Sequence, residues 1–191
     1  MNTPSHLIIN AALHKRAKAG GATGIARGAF LLGAVLPDLP LWLLWVGGYL
    51  YYRYGLVNTA FTIVDPLLDE LYFTNRFWIA SHNMFHAPLV LLSTMALLWR
   101  FRGQAGTRRN WIFWLAAGCL IHTALDIPTH VTDGPLLLFP FEWSLRFRSP
   151  LSYWDSAYFG REFTVFELLL NVALLVYLFG PGLWGRLRRA G

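Results

Sequence analysis

The chain has 191 residues, of which 55% are hydrophobic and only 14% charged, and its mean hydropathy is +0.42. A soluble domain carries about 25% charged residues, so the composition speaks against an ordinary water-soluble enzyme, a disordered chain or a disulfide-stapled secreted module, the last because Cys119 is the only cysteine. A net charge of +6 and a pI near 9.8 would suit nucleic acid, but the placement of the charges assigns them to membrane topology instead.

In chain order, the opening MNTPSHLIINAALHKRAKAGG lacks the basic start and long apolar run of a cleavable signal peptide and is expected to stay attached. Pro4 suits a first helical turn with Thr3 as its cap. The short helix so formed carries His6 and ends in Lys15, Arg16 and Lys18. It is expected to pack as a hairpin with the first of four apolar windows, at about 25–50, 77–99, 111–130 and 163–184. Each window meets the roughly 20 residues needed to cross a bilayer core, and Pro37 and Pro40 are expected to break the first. The expected fold is therefore all-α: one membrane-embedded domain over residues 1–191, a polytopic bundle of four spans plus the N-terminal helix. No internal repeat interrupts it.

Lys and Arg alternate along this plan. Eleven fall before the first window, between the second and third, and after the fourth, against five in the other two loops. The positive-inside rule then places both termini in the cytoplasm. Seven of the ten acids lie in the two outer loops and none in the basic segments, so the charge reports topology with some attraction to anionic lipid. His14, set among Lys15, Arg16 and Lys18, reads as a headgroup-facing residue.

The remaining acids, Asp38, Asp126 and Glu167, sit inside apolar windows with His82, His86 and His122. Ionisable groups at membrane depth are costly and mark functional sites. In SHNMFH, His82 and His86 are spaced i, i+4, neighbours on one helix face that can grip a metal. In HTALDIPTH, His122, Asp126 and His130 form an i, i+4, i+8 stripe, an imidazole and carboxylate set suited to Zn²⁺ or a similar divalent ion. Pro128 tends to end the helix there, leaving His130 just past it. Counting about 1.5 Å per residue up from the nearest basic marker puts His6 and Asp38 at about 14–16 Å and His82, His86, His122 and Asp126 at about 20–27 Å. Six potential ligands from four segments thus share a layer in the outer half of the membrane, with Glu167 at its upper edge.

Taken together, PSH, LPD, SHNMFH and HTALDIPTHVTDGPLLLFPF resemble the bacterial membrane-bound metal-dependent hydrolase family, also described as LexA-binding and inner-membrane-associated. SYWD and FELLLN resemble its closing pattern. The resemblance spans nearly the whole chain and implies a metal-dependent hydrolase of the inner membrane. The ligand order is also similar to that of zinc-dependent phospholipase C. That similarity implies His6, Asp38, His82 or His86, His122, Asp126 and, further along, His130 as ligands. Phospholipase C adds a mature N-terminal amine and a late His-x3-Glu pair; here the sequence starts at Met1 and has no histidine after His130, so one or two ions are expected rather than three.

The expected chemistry is hydrolysis by metal-activated water, without a serine or cysteine nucleophile. Asp126 is expected as the bridging or central ligand and Glu167 or Asp133 as the general base or leaving-group acid; Arg146 and Arg148 lie in an aromatic loop that reads either as a clamp on a phosphate or carbonyl headgroup or as a belt that simply anchors the loop at the membrane surface. The substrate class is lipid-linked or amphiphilic, a phosphoester foremost, and no nucleic acid is involved. Two alternatives stand beside this reading: a non-catalytic adaptor or regulator stapled by its metal, and a metal transporter. Transport fits less well, because the spans below the site offer mainly Leu, Ala, Trp and Phe.

Overall fold

The structure, a computed structural model, describes residues 1–55 and 61–190, with backbone alone at 61–62 and 183–190. The side chains of the closing arginines, Arg186, Arg188 and Arg189, therefore lie outside the described residues. Among those described the fold is all-α, with eight α-helices, no strand and one isolated antiparallel bridge, Leu136 to Arg146.

Helix α1 spans Thr3–Ala19. Pro4 occupies its first turn, where a missing N–H costs nothing. The cap position falls on Asn2, one residue earlier than expected, because the Thr3 hydroxyl donates to Asp38 instead of closing the helix. The first apolar window divides into α2 (Arg27–Leu32) and α3 (Leu39–Tyr54), joined by turns over residues 33–38. Pro37 and Pro40 each lack the N–H that a continuous helix would need there. The outer loop expected next is largely helical: α4 (Phe61–Thr74) packs Val64, Leu68 and Tyr72, with Trp78, against Leu41, Leu44 and Trp45 of α3.

The second window is α5 (Arg76–Asn83) and α6 (Pro88–Leu98), bent by 44° at the break between them. The third is α7 (Arg108–Asp126), which continues as a 3-10 turn through Thr129, and the fourth is α8 (Gly160–Ala190). Residues 108–129 and 160–182 are each long and apolar enough to cross a membrane, and the bent α5–α6 pair makes a third candidate if it counts as one span. Only 11% of the α8 window is buried. Its exposed Leu168, Leu169, Val172 and Val176 form an apolar surface that lipid, not water, would solvate.

Helix α7 is the hub, with α6, α2 and α1 packed around it, and α1 lies along α8 as well. Glycine permits the closest of these approaches. A Cβ on Gly118 would collide with the Phe30 carbonyl, and one on Gly33 with that of Leu115. Asn10, fully buried, donates its amide to the carbonyls of Phe30 (3.1 Å) and Gly118 (3.3 Å), joining α1, α2 and α7. The irregular segment 130–159 is fastened to the bundle at the helix breaks. Leu136 N donates to Asn83 Oδ1 (2.8 Å), Tyr153 N to the Thr129 carbonyl (3.0 Å), and Leu136 and Phe139 pack on Ile79 and Ala87.

Candidate metal centre

Helix ends and turns deliver the donors. The start of α1 brings His6, the turn between α2 and α3 brings Asp38, the α5–α6 break brings His86, and the last turns of α7 bring His122 and Asp126. Asp126 is the focus. Its Oδ1 lies 3.0 Å from His6 Nε2, and its Oδ2 lies 2.9 Å from both His86 Nε2 and His122 Nε2. His122 Nε2 also faces Asp38 Oδ1 at 3.3 Å. The rings of His6 and His122 stack with centroids 3.7 Å apart.

One ligand atom each from Asp38, His86, His122 and Asp126 fall within 4.8 Å of one another, so this group could hold a metal ion. Two further observations fit that chemistry. His122 Nδ1 lies 2.8 Å from the Ala34 carbonyl, which assigns the proton to Nδ1 and turns the Nε2 lone pair toward the carboxylates. Such an outer hydrogen bond is how metal-binding histidines are oriented. Moreover, His6 Nε2 and His122 Nε2 are buried without a hydrogen-bond partner, although each sits about 3 Å from a carboxylate oxygen. Buried polar atoms are nearly always satisfied, and inward-facing imidazoles around two carboxylates are the donor set of a divalent cation.

The other residues singled out in the sequence take different places. His82 and His86 do not share a regular helix face, because α5 ends at Asn83 and His86 lies in the following turn, yet their rings remain 4.5 Å apart. His82 sits behind His86 against Tyr72, ring centroids 5.4 Å apart. His130 follows the 3-10 turn in extended backbone, its Nδ1 bonded to the Asp126 carbonyl (2.9 Å) and 4.0 Å from Asp126 Oδ1. Glu167 is buried and accepts from Asn2 N and Asn2 Nδ2, both at 2.8 Å. Asp133 accepts from Trp154 Nε1 (3.0 Å), while its carbonyl takes the Tyr72 hydroxyl (2.6 Å). Arg146 donates to the Gly134 carbonyl and the Tyr72 hydroxyl and lies over the Tyr72 ring. Arg148 is exposed.

No motif marks residues 1–3 in the sequence, yet Met1 and Thr3 reach the cluster and Asn2 reaches Glu167. The Met1 amine, itself buried, donates to Asp126 Oδ1 (2.7 Å) and Thr129 Oγ1 (3.2 Å). Asn2 holds Glu167, and Thr3 holds Asp38. The polar run before the apolar LIINAAL is the one local sign of this role. Exposure across the cluster is uneven: the side chains of His6, His86, His122 and Asp126 are at most 3% exposed, that of Asp38 is 18%. Asp38 is the most exposed donor of the cluster.

The family described as YdjM inner membrane protein has a model that matches residues 1–185. No curated protein and no solved structure matches the chain.

Proposed function

The chain belongs to the YdjM inner membrane protein family, and from that membership and its buried Asp–His cluster we propose an integral-membrane, metal-dependent hydrolase acting on a lipid-linked or amphiphilic substrate, a phosphoester foremost. The observation that carries the reading is the convergence of Asp38, His86, His122 and Asp126, with His6 beside them. Zinc suits this donor set, as one ion or two, with His82 and His130 in reserve at the margin. An ion held by these residues would supply Lewis acidity and make water a nucleophile available near neutral pH.

The protein's own groups divide the remaining work. Asp126 gathers three imidazoles and an amine on its two oxygens and fixes the shape of the centre. Thr3 orients Asp38, the most exposed of the donors. Glu167, held by Asn2, or Asp133, at the rim, moves the proton to the leaving group. Arg146 and Arg148 meet the headgroup charge. The topology proposed with this chemistry has four spans, the first broken between α2 and α3, with both termini in the cytoplasm and the centre in the outer half of the membrane.

A second reading, a regulator in which the metal only staples the helices, draws on the near-complete burial of four donors, since structural ions have their sphere filled by protein atoms. The experiment that separates the two is elemental analysis of the purified protein followed by a screen of phospholipid and lipid-linked phosphoesters with and without chelator. Chelator-sensitive turnover supports the enzyme. Bound metal with no turnover of any lipid class supports the staple.

A further inference from the structure

At the opposite end of the bundle from the metal centre lies a cavity of about 510 Å³ between α1, α2 and α8. Lys18 is twelve residues beyond His6 on the same helix, about 18 Å away along its axis, so the cavity is a separate place. Its wall carries His14, Lys15, Lys18 and Arg27, together with Leu31, Leu178 and Phe179. The volume falls in the ordinary range for ligand sites, roughly 300–1,000 Å³.

The charges here have no internal answer. The sequence contains no Asp or Glu in residues 1–37, 71–125 or 168–191, which covers every helix segment at this end. Among the described residues no ion pair involves Lys18 or Arg27, since all the ion pairs gather on Asp38 and Asp126. Lys15 is already engaged. Pro181 in α8 has no N–H for the Tyr177 carbonyl, and the Lys15 ammonium takes that carbonyl (2.5 Å) and the one after it, Leu178 (2.9 Å). This clamps α1 to α8 and builds the wall, leaving Lys18 and Arg27 as cations that face the cavity beside the apolar Leu31, Leu178 and exposed Phe179.

A phosphate alone would need only the charges, and a fatty chain only the apolar wall. We infer that the cavity binds the headgroup of an anionic phospholipid, Lys18 and Arg27 meeting the phosphate while Leu31, Leu178 and Phe179 receive the glycerol and first methylenes. The inference does not rest on the hydrolase reading.

The test titrates detergent-purified protein with phosphatidylglycerol, phosphatidylcholine of the same chains, or inorganic phosphate, and reads binding by native mass spectrometry. Phosphatidylglycerol should bind at least tenfold tighter than either. In Lys18→Gln/Arg27→Gln its affinity should fall roughly thirtyfold, each cation near an anionic surface being worth about fivefold, while Arg108→Gln, at the same end but outside the cavity, should leave it unchanged. Equal binding of phosphatidylcholine or of inorganic phosphate overturns the inference, as does undiminished phosphatidylglycerol binding in the double variant. The headgroup comparison on the unaltered protein decides the matter even if the variant does not fold.

Discussion

Replacing Asp126 by Asn tests the centre with the least change of shape. The side chain keeps its size, so no cavity opens, but it loses its charge and one of two acceptor oxygens. In the native arrangement those oxygens meet the Met1 amine at 2.7 Å and the Nε2 atoms of His6, His86 and His122 at 2.9–3.0 Å. Removing the anionic partner of a buried ionic group costs about 3–5 kcal/mol, a large part of the roughly 5–15 kcal/mol that holds a domain together. At about 2–4 °C per kcal/mol for a chain of this length, the melting temperature should drop by roughly 6–20 °C. Metal affinity should fall further. Loss of a supporting group around a metal already costs about 10–100-fold, and here a neutral amide takes the place of a charged ligand, so a loss of more than roughly a hundredfold is expected. The assay is metal content by plasma mass spectrometry on folded, detergent-purified protein, alongside thermal unfolding with and without chelator. The native protein should lose stability when chelated; Asp126→Asn should hold little metal and melt at the same temperature either way. Near-stoichiometric metal in folded Asp126→Asn would refute the assignment of Asp126 as a ligand.

Three further substitutions follow from the geometry. Glu167→Gln should retain the metal yet lower turnover by at least about a hundredfold, the scale of a lost general acid–base, and unchanged turnover would remove Glu167 from the chemistry. Asn83→Leu leaves the Leu136 amide buried without its acceptor, which costs about 1–3 kcal/mol and should make segment 130–159 the first site cut in limited proteolysis. Gly118→Val drives a side chain into the Phe30 carbonyl; overpacking of about 1–3 kcal/mol should appear as a lower melting temperature, and an unaltered one would contradict the close approach of α2 and α7.

What the sequence discloses depends on how local the information is. His122 and Asp126 could be read directly because i, i+4 spacing on a long apolar helix leaves them one geometry, and Asp38 because two prolines announce the turn that presents it. The end of the stripe was also readable, since Pro128 stops α7 before His130. The relation of His82 to His86 was not: the helix stops at Asn83, whose side chain is committed to Ile79 and Leu136, and that commitment depends on a segment about fifty residues away. The same holds for residues 1–3, whose partners lie on three other elements; α4 does carry a local sign, the i, i+4, i+8 spacing of Val64, Leu68 and Tyr72, but not which helix receives that face. Spacing within a helix survives in the sequence; packing between helices does not.

The three residues at the start of α1 also set an order of events. Their partners lie 125, 165 and 35 positions further along, and bringing together such distant groups must await the chain between them. At about 5–20 residues per second, translation needs on the order of 10–30 s to travel from Asn2 to Glu167. During that interval Asp38 meets Thr3 first and Asp126 meets the amine next, and only Asn2 still lacks its carboxylate. Every donor of the cluster lies at or before Asp126, so the donors can gather before the final helix is made, and that helix adds the hold of Glu167 on Asn2.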